Sequence, residues 1–551
     1  MNRVLCKILI AALCGTATSS MACAQQAQPD VTTALDTIFQ RFNRPDGAGC
    51  AIGILREGAA AILRGYGSAD LEHDIPFTPG SVSEAGSVSK QFTSASILLL
   101  ADQGKLKLTD DIRKYLPEMP DYGTPITINE LLSHTSGLRD WGSIEAIAGW
   151  PRSTRTYTNI EALDIAARQK HLNYKPGAEY SYTNTGYNLL ALIVERVSGQ
   201  SLAQFSHDHV FVPLGMTHTQ WRDDFQRIVK GRAIGYEPTK DGSYRQDMPF
   251  EDIYGNGGLL TTVGDLLRWN DALTNNELGT FVSTEIRRSA QLNDGQTIAY
   301  ARGLFNQSYH GIAEISHSGA TAGYRAWLAR FPDQHLSIAI LCNAGEANPV
   351  GLGYMAADLF LPKPAVAKIN FAAAPAEQLA RNAGLYFDAK TGSVLRVEVR
   401  GGALHAGPGP ALQPTSSNEF IEDGTTFRFE GDKLTRSSDS ETAEYHRVQP
   451  WQPQIAELKS FVGDYDSEEA LAVLQVRMVL DKLLLVPEDR RSAAETMTPL
   501  FTDTFLTGDG MILHFRRSAK GGVTGFDASV GRVYSLAFTE VGHLASHGRL
   551  R

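Results

Sequence analysis

Ser87-Val88-Ser89-Lys90, followed by Tyr182-Thr183-Asn184 and then by His317-Ser318-Gly319, is the feature that most limits what this chain can become. A lysine three positions after a serine shares its helical face, so amine and hydroxyl can lie side by side. The amine can then take the seryl proton, the nucleophile-plus-base arrangement of acyl-transfer enzymes. Serine and lysine are common, and a chain this long carries about two S-x-x-K matches by chance. Three boxes in this order are far harder to obtain by accident. No G-x-S-x-G elbow surrounds any serine, which argues against an unrelated fold with a Ser-His-Asp triad.

A chain of 551 residues implies two or three domains. A net charge of −10 without a long basic run excludes nucleic acid as a partner. Residues 1–24 read as a secretory signal peptide: Arg3 and Lys7 at the start, the apolar run Ile8 to Ala17, and a small-residue cleavage site at Ala22-Cys23-Ala24. The run is too short and too broken by Thr and Ser to span a membrane, and Ser20-Met21-Ala22 is a poor lead-in for a lipid anchor on Cys23. The expected location is therefore periplasmic or secreted. Only Cys50 and Cys342 remain after cleavage. No C-x-x-C or H-E-x-x-H exists, so no metal is expected, and His207-x-His209 reads as surface.

The pattern reads as one α/β sandwich over 30–362. Cys50 to Leu55 is a strand, Arg56-Glu57-Gly58 a turn and Ala59 to Leu63 the return. A helix opens near Ser87 with Phe92, Ile97, Leu98 and Leu99 inward, and stops at Gly104. Thr127 and Glu130 form a capping box, stapled by Ile126 and Leu131. Another helix follows Tyr187 and ends near Gly199. Ala326 to Phe331 and Leu336 to Leu341 are strands around Pro332-Asp333. Proline-rich text after Pro362 reads as a linker. Beyond it lie two β modules, 378–449 and 455–540, each long enough for a small antiparallel barrel. They repeat: Gly384-Leu385-Tyr386 recurs as Gly463-Asp464-Tyr465, Leu404 as Leu483, and Pro414…Phe420 as Pro499…Phe505.

These boxes, with Leu131-Leu132-Ser133-His134-Thr135-Ser136-Gly137-Leu138, Pro213-Leu214-Gly215-Met216 and Gly257-Gly258-Leu259, resemble the penicillin-recognising serine hydrolases. The branch is that of class C β-lactamases, esterases and D-aminopeptidases, and two trailing β modules are similar to the D-aminopeptidase layout. The resemblance implies a β-lactamase/transpeptidase-like fold, an antiparallel sheet with helices and an all-α region. It implies Ser87 as nucleophile, with Lys90 and Tyr182 as a proton-sharing unit whose base is left open. Asn184, His317 and Gly319 would bind substrate, Asn184 having helix capping as its alternative role. The backbone N–H groups of Ser87 and Ala320 would form the oxyanion hole. His134 reads as a structural loop histidine, and a second H-x-G at His405 as incidental. In related sheets the first strand lies beside the last, which implies a disulfide between Cys50 and Cys342.

The expected activity is cleavage of amide bonds in small peptides, D-residues included, without a cofactor. A carboxylesterase or β-lactamase of the same fold is the nearer alternative. His317 in place of a lysine weakens the β-lactamase case, although a histidine can carry charge in acid. A penicillin-binding sensor that is acylated but does not turn over is the other. A small peptide, amide or ester is the only partner implied. The sequence leaves the oligomeric state open, a homodimer included.

Overall fold

Ala51, Ile52 and Ile54 are buried on both faces of their strand, as a continuous apolar run demands of a central strand. In the computed structural model, which describes residues 31–57, 61–363, 374–438 and 441–541, this strand is Cys50–Arg56. It pairs on one side with Ile62–Tyr66 and on the other with Leu336–Cys342. Tyr324–Phe331, Ile312–Thr321 and Phe305–Tyr309 continue the sheet, every pairing antiparallel. The return strand therefore starts later than the text suggested: Ile62 rather than Ala59, with residues 58–60 outside the described ones. The signal peptide, including Cys23, also lies outside them.

The register sets Cys50 opposite Cys342, and the two sulfurs are bonded across 292 positions of chain. Val263–Thr274 covers one face of the sheet and Pro349–Ala357 the other. Thr262 caps the first by accepting from the Asp265 N–H, and Asn348 caps the second through the Gly351 N–H. Behind the first face lies the all-α region, including Lys90–Asp102, Ile128–Leu132 and Asn184–Ser198. The Thr127–Glu130 capping box forms, and Ile126 and Leu131 are both buried beside it. Along Lys90–Asp102, Phe92, Ile97 and Leu98 are fully buried but Leu99 only partly. This helix is enclosed almost all round, so it has no single inward stripe.

The two β modules are eight-stranded antiparallel barrels, the first nearly closed and the second closed. The repeat is structural. Tyr386 and Tyr465 are both buried, and each donates its hydroxyl to the carbonyl four residues back, of Asn382 and Phe461. Pro414 faces Phe420 across one hairpin as Pro499 faces Phe505 across the other.

The second barrel is no mere appendage. Trp141, Ile144, Ile147 and Tyr157 of the catalytic domain share one apolar cluster with Leu474, Phe526 and Leu536 of the barrel. Across this junction Arg139 donates to Glu469 at 2.9 Å, their side chains only 3% and 7% exposed. Arg139 also donates to the carbonyls of Tyr534 and Ser535. Removing one partner of a buried pair strands the other charge. Glu469→Ala should therefore lower unfolding stability by roughly 3–5 kcal/mol in a denaturant titration. Protein lacking residues 1–24 should show no free thiol when unfolded without reductant, and two after reduction. Its thermal midpoint should fall on reduction, since opening the bridge frees a long loop in the unfolded chain.

Candidate active site

The turn that carries Ser87 depends on two glycines. Gly86 holds φ +50°, a conformation L-residues rarely adopt, and a Cβ there would lie 2.5 Å from the Ala320 nitrogen. A Cβ on Gly319 would lie 2.0 Å from the Ala85 carbonyl oxygen and 3.0 Å from the Ser87 nitrogen. The strand Ile312–Thr321 and the turn before Ser87 thus touch backbone to backbone. The backbone nitrogens of Ser87 and Ala320 both border this contact. The edge is open there because Phe305–Tyr309 pairs only with residues 312–316. Ser87 itself sits in a 3₁₀ turn, Gly86–Ser89, and the α-helix starts at Lys90.

Lys90 is fully buried, its nitrogen 3.2 Å from Ser87 Oγ. It donates to Asn184 Oδ1 at 3.0 Å and to the Asn256 carbonyl at 2.6 Å. It also lies 4.8 Å from the centre of the Tyr182 ring. Burial first, and then the Arg532 and Arg152 guanidinium charges, push the ammonium well below the usual lysine range, against a smaller opposing pull from Asp140.

Burial raises the Tyr182 phenol above its ordinary value, while the nearby Ser87 hydroxyl and Arg532 favour the anion. The phenol oxygen makes no hydrogen bond. His134 packs against the Tyr182 ring with centroids 4.2 Å apart. Its Nδ1 accepts from the Thr183 N–H and its Nε2 lies 3.0 Å from the Tyr300 hydroxyl, so Nε2 carries the proton. Burial holds the ring neutral. It is a positioning residue, as its loop setting suggested. Thr183, not Asn184, caps the helix Asn184–Ser198. Asn184 has its N–H held by Asp140 at 2.7 Å and its amide oxygen by Lys90, and it lines the cavity.

His317 donates Nδ1–H to the Ser318 carbonyl at 2.6 Å, leaving Nε2 as a buried acceptor without a partner. Burial is the first cause that pushes the imidazole down, to about 3, which disfavours a charge on this ring. A cavity of about 640 Å³ opens over these groups, lined by Ser87, Tyr182, Asn184, His317 and Gly319. His405 belongs to a barrel strand, and His207 and His209 to an exposed helical turn against Asp208 and Phe205. Among the described residues the one cluster with metal-ligating groups is Asp70, Glu72 and His73, away from this site and largely exposed.

A protein-family description, Beta-lactamase, matches residues 35–357. The chain belongs to the beta-lactamase family. It is 30% identical to penicillin-binding protein 4* of Bacillus subtilis over 332 residues, 57% of this chain and 72% of that one. It is 27% identical to D-aminopeptidase of Brucella canis over 458 residues, 81% and 84% of the two chains. The octameric penicillin-binding protein homologue from Pyrococcus abyssi superimposes with a TM-score of 0.56 at 24% identity, over 76% of this chain and 99% of that one.

In this beta-lactamase-family chain the second barrel reaches the site. The hairpin between Val523–Val530 and Val533–Val541 carries Arg532 into the cavity wall, its guanidinium 4.7 Å from the centre of the Tyr182 ring. Neither Arg532 nor the Asn256 carbonyl had been marked from the text. A backbone acceptor has no side-chain signature, and nothing in Gly531-Arg532-Val533 ties it to position 87. Arg532 favours the neutral Lys90 amine, so Arg532→Ala should make Lys90 easier to protonate. The acid limb of kcat/KM should then move to higher pH, whereas Arg532→Lys should leave it near the wild-type position. A pH–rate series checks this.

Proposed function

We propose that this hydrolase forms an acyl-enzyme at Ser87 and cleaves amide bonds of small peptides, those with D-residues among them. The observation that carries the reading is the bonding of the Lys90 amine. A neutral amine has two N–H groups and one lone pair. Lys90 Nζ lies within bonding reach of Ser87 Oγ, Asn184 Oδ1 and the Asn256 carbonyl, so a neutral amine can give its two N–H groups to the latter two and turn its lone pair to the seryl O–H. On this reading Lys90 is the base.

Ser87 Oγ attacks the substrate carbonyl carbon while its proton passes to Lys90. The carbonyl oxygen, now negative, is held by the Ser87 and Ala320 N–H groups. As the C–N bond breaks, the amine takes a proton from Tyr182, whose raised value keeps it a phenol, and Lys90 returns that proton to the tyrosine. Water then attacks the ester by the reverse route and releases Ser87. The free amide nitrogen of Asn184 is placed to hold the substrate carbonyl.

Two relatives' names, D-aminopeptidase and penicillin-binding protein, support small peptides and D-residues as the substrate class. Export belongs to the same proposal, because a disulfide persists in an oxidising compartment. Among the described residues no helix is long and apolar enough to cross a membrane.

A panel of D-alanine amide, L-alanine amide, a short-chain ester and a chromogenic cephalosporin, with Ser87→Ala as blank, tests the reading. Turnover should be higher on the D-amide than on the L-amide, and Lys90→Ala should lower it by roughly 10³-fold or more. An acyl group found on Ser87 by mass spectrometry without turnover would favour a sensor instead.

A further inference from the structure

The cavity over Ser87 is cationic in a protein that is not. Acidic residues outnumber basic ones in the chain, 61 to 51, yet Arg152, Arg325 and Arg532 line this cavity and, among the described residues, no Asp or Glu does. The three arginines are not equivalent. Arg152 is already committed to the buried carboxylate of Glu251. Arg325 lies across the strand pair from Ala320 and gives its guanidinium to the carbonyls of Ala322 and Tyr324.

Arg532 stands apart. Its guanidinium reaches Asp140 only at 3.9 Å and is 41% exposed. Asp140 is satisfied elsewhere, accepting from the Asn184 and Ser143 N–H groups and the Thr183 hydroxyl. Glu441 feels the Arg532 charge but lines the neighbouring cleft with Glu179, Asp388 and Glu444. The hairpin that presents Arg532 is held firmly. The Arg532 carbonyl accepts from Asn173 Nδ2 at 2.9 Å, and the Tyr534 N–H donates to Asn173 Oδ1 at 3.0 Å. A guanidinium on a pinned main chain, 41% exposed beside the Tyr182 ring, suits a carboxylate.

We propose that Arg532, delivered by the second barrel, is the specificity residue of this site, and that the preferred substrate carries a carboxylate near the scissile bond rather than a free ammonium. The proposal rests on the acyl-enzyme reading above and narrows it. The cavity is of a size for a small ligand, so the anion sits within about a residue or two of the bond that breaks. A protonated amino terminus would face three guanidinium groups with no carboxylate to receive it. The second barrel thus selects substrate by charge.

Three dipeptides of one sequence test this: N-acetyl-D-alanyl-D-alanine, its C-terminal carboxamide, and D-alanyl-D-alaninamide with a free amino group. The full-length protein should favour the carboxylate over the carboxamide by roughly 10- to 100-fold in kcat/KM, mainly through KM, with the free amine slowest. Raising ionic strength should shrink the preference. Arg532→Gln should bring the ratio near one and Arg532→Lys should restore part of it. The ratio is read at one pH, where any change at Lys90 cancels between substrates. A wild-type ratio of one or less, or a preference that survives Arg532→Gln, overturns the proposal while the serine chemistry stands. If Ser87 takes no label from a fluorophosphonate and none of the three is cleaved, the acyl-enzyme reading falls and this proposal with it.

Discussion

A fully buried lysine amine, held well below its usual range, organises everything around Ser87. Lysine loses its proton readily only where water is excluded and other cations are close. Such a nitrogen still needs acceptors for its hydrogens, or burial would be too costly. The chain meets both demands with parts from distant stretches: a helix start at 90, an amide at 184, a main-chain carbonyl at 256 and a guanidinium at 532. Each in turn needs its own support. His134 fixes the Thr183 backbone and Asp140 fixes that of Asn184, so the second box is rigid before any ligand arrives. A buried ionic cluster of Arg222, Glu84, Glu251 and Arg152 braces the wall beyond it.

The junction with the second barrel belongs to the same logic. A shared apolar cluster and the Arg139–Glu469 pair lock the barrel to the domain that holds the nucleophile. The hairpin tip then behaves as part of the site wall and not as a swinging lid. A cation presented from a separate unit can be altered without disturbing the helix that carries Ser87 and Lys90. This separates what a site prefers from how it reacts.

Much of this was legible in the text. The capping box at Thr127, the strand at Cys50 and the paired barrels follow from local patterns: an N-cap with its glutamate, an apolar run, and phrases repeated at fixed offset. Ser87 and Lys90 stand out because three positions put them on one helical face, and Tyr182 because its box resembles that of the family; the fold brings all three to one cavity. What the text hid is of another kind. Capping is the alternative role the text leaves for Asn184, and Thr183 takes it, since a side chain one position earlier reaches the N–H of Thr185. His317 looked titratable, but enclosure beside Lys90 removes that freedom. Arg532 was invisible because only the fold brings it within reach of Tyr182.

The catalytic sheet carries one consequence for how the molecule comes into being. The strand at Cys50 is made early, yet its neighbour Leu336–Cys342 lies nearly three hundred positions downstream. Synthesis runs from the amino end, so this central strand can pair early with Ile62–Tyr66 but waits with its other flank unsatisfied until most of the domain exists. Contacts so remote in sequence slow assembly and leave an adhesive edge exposed meanwhile. During that interval the lone thiol at 50 has no correct mate, and another chain in the same condition is the partner it can meet.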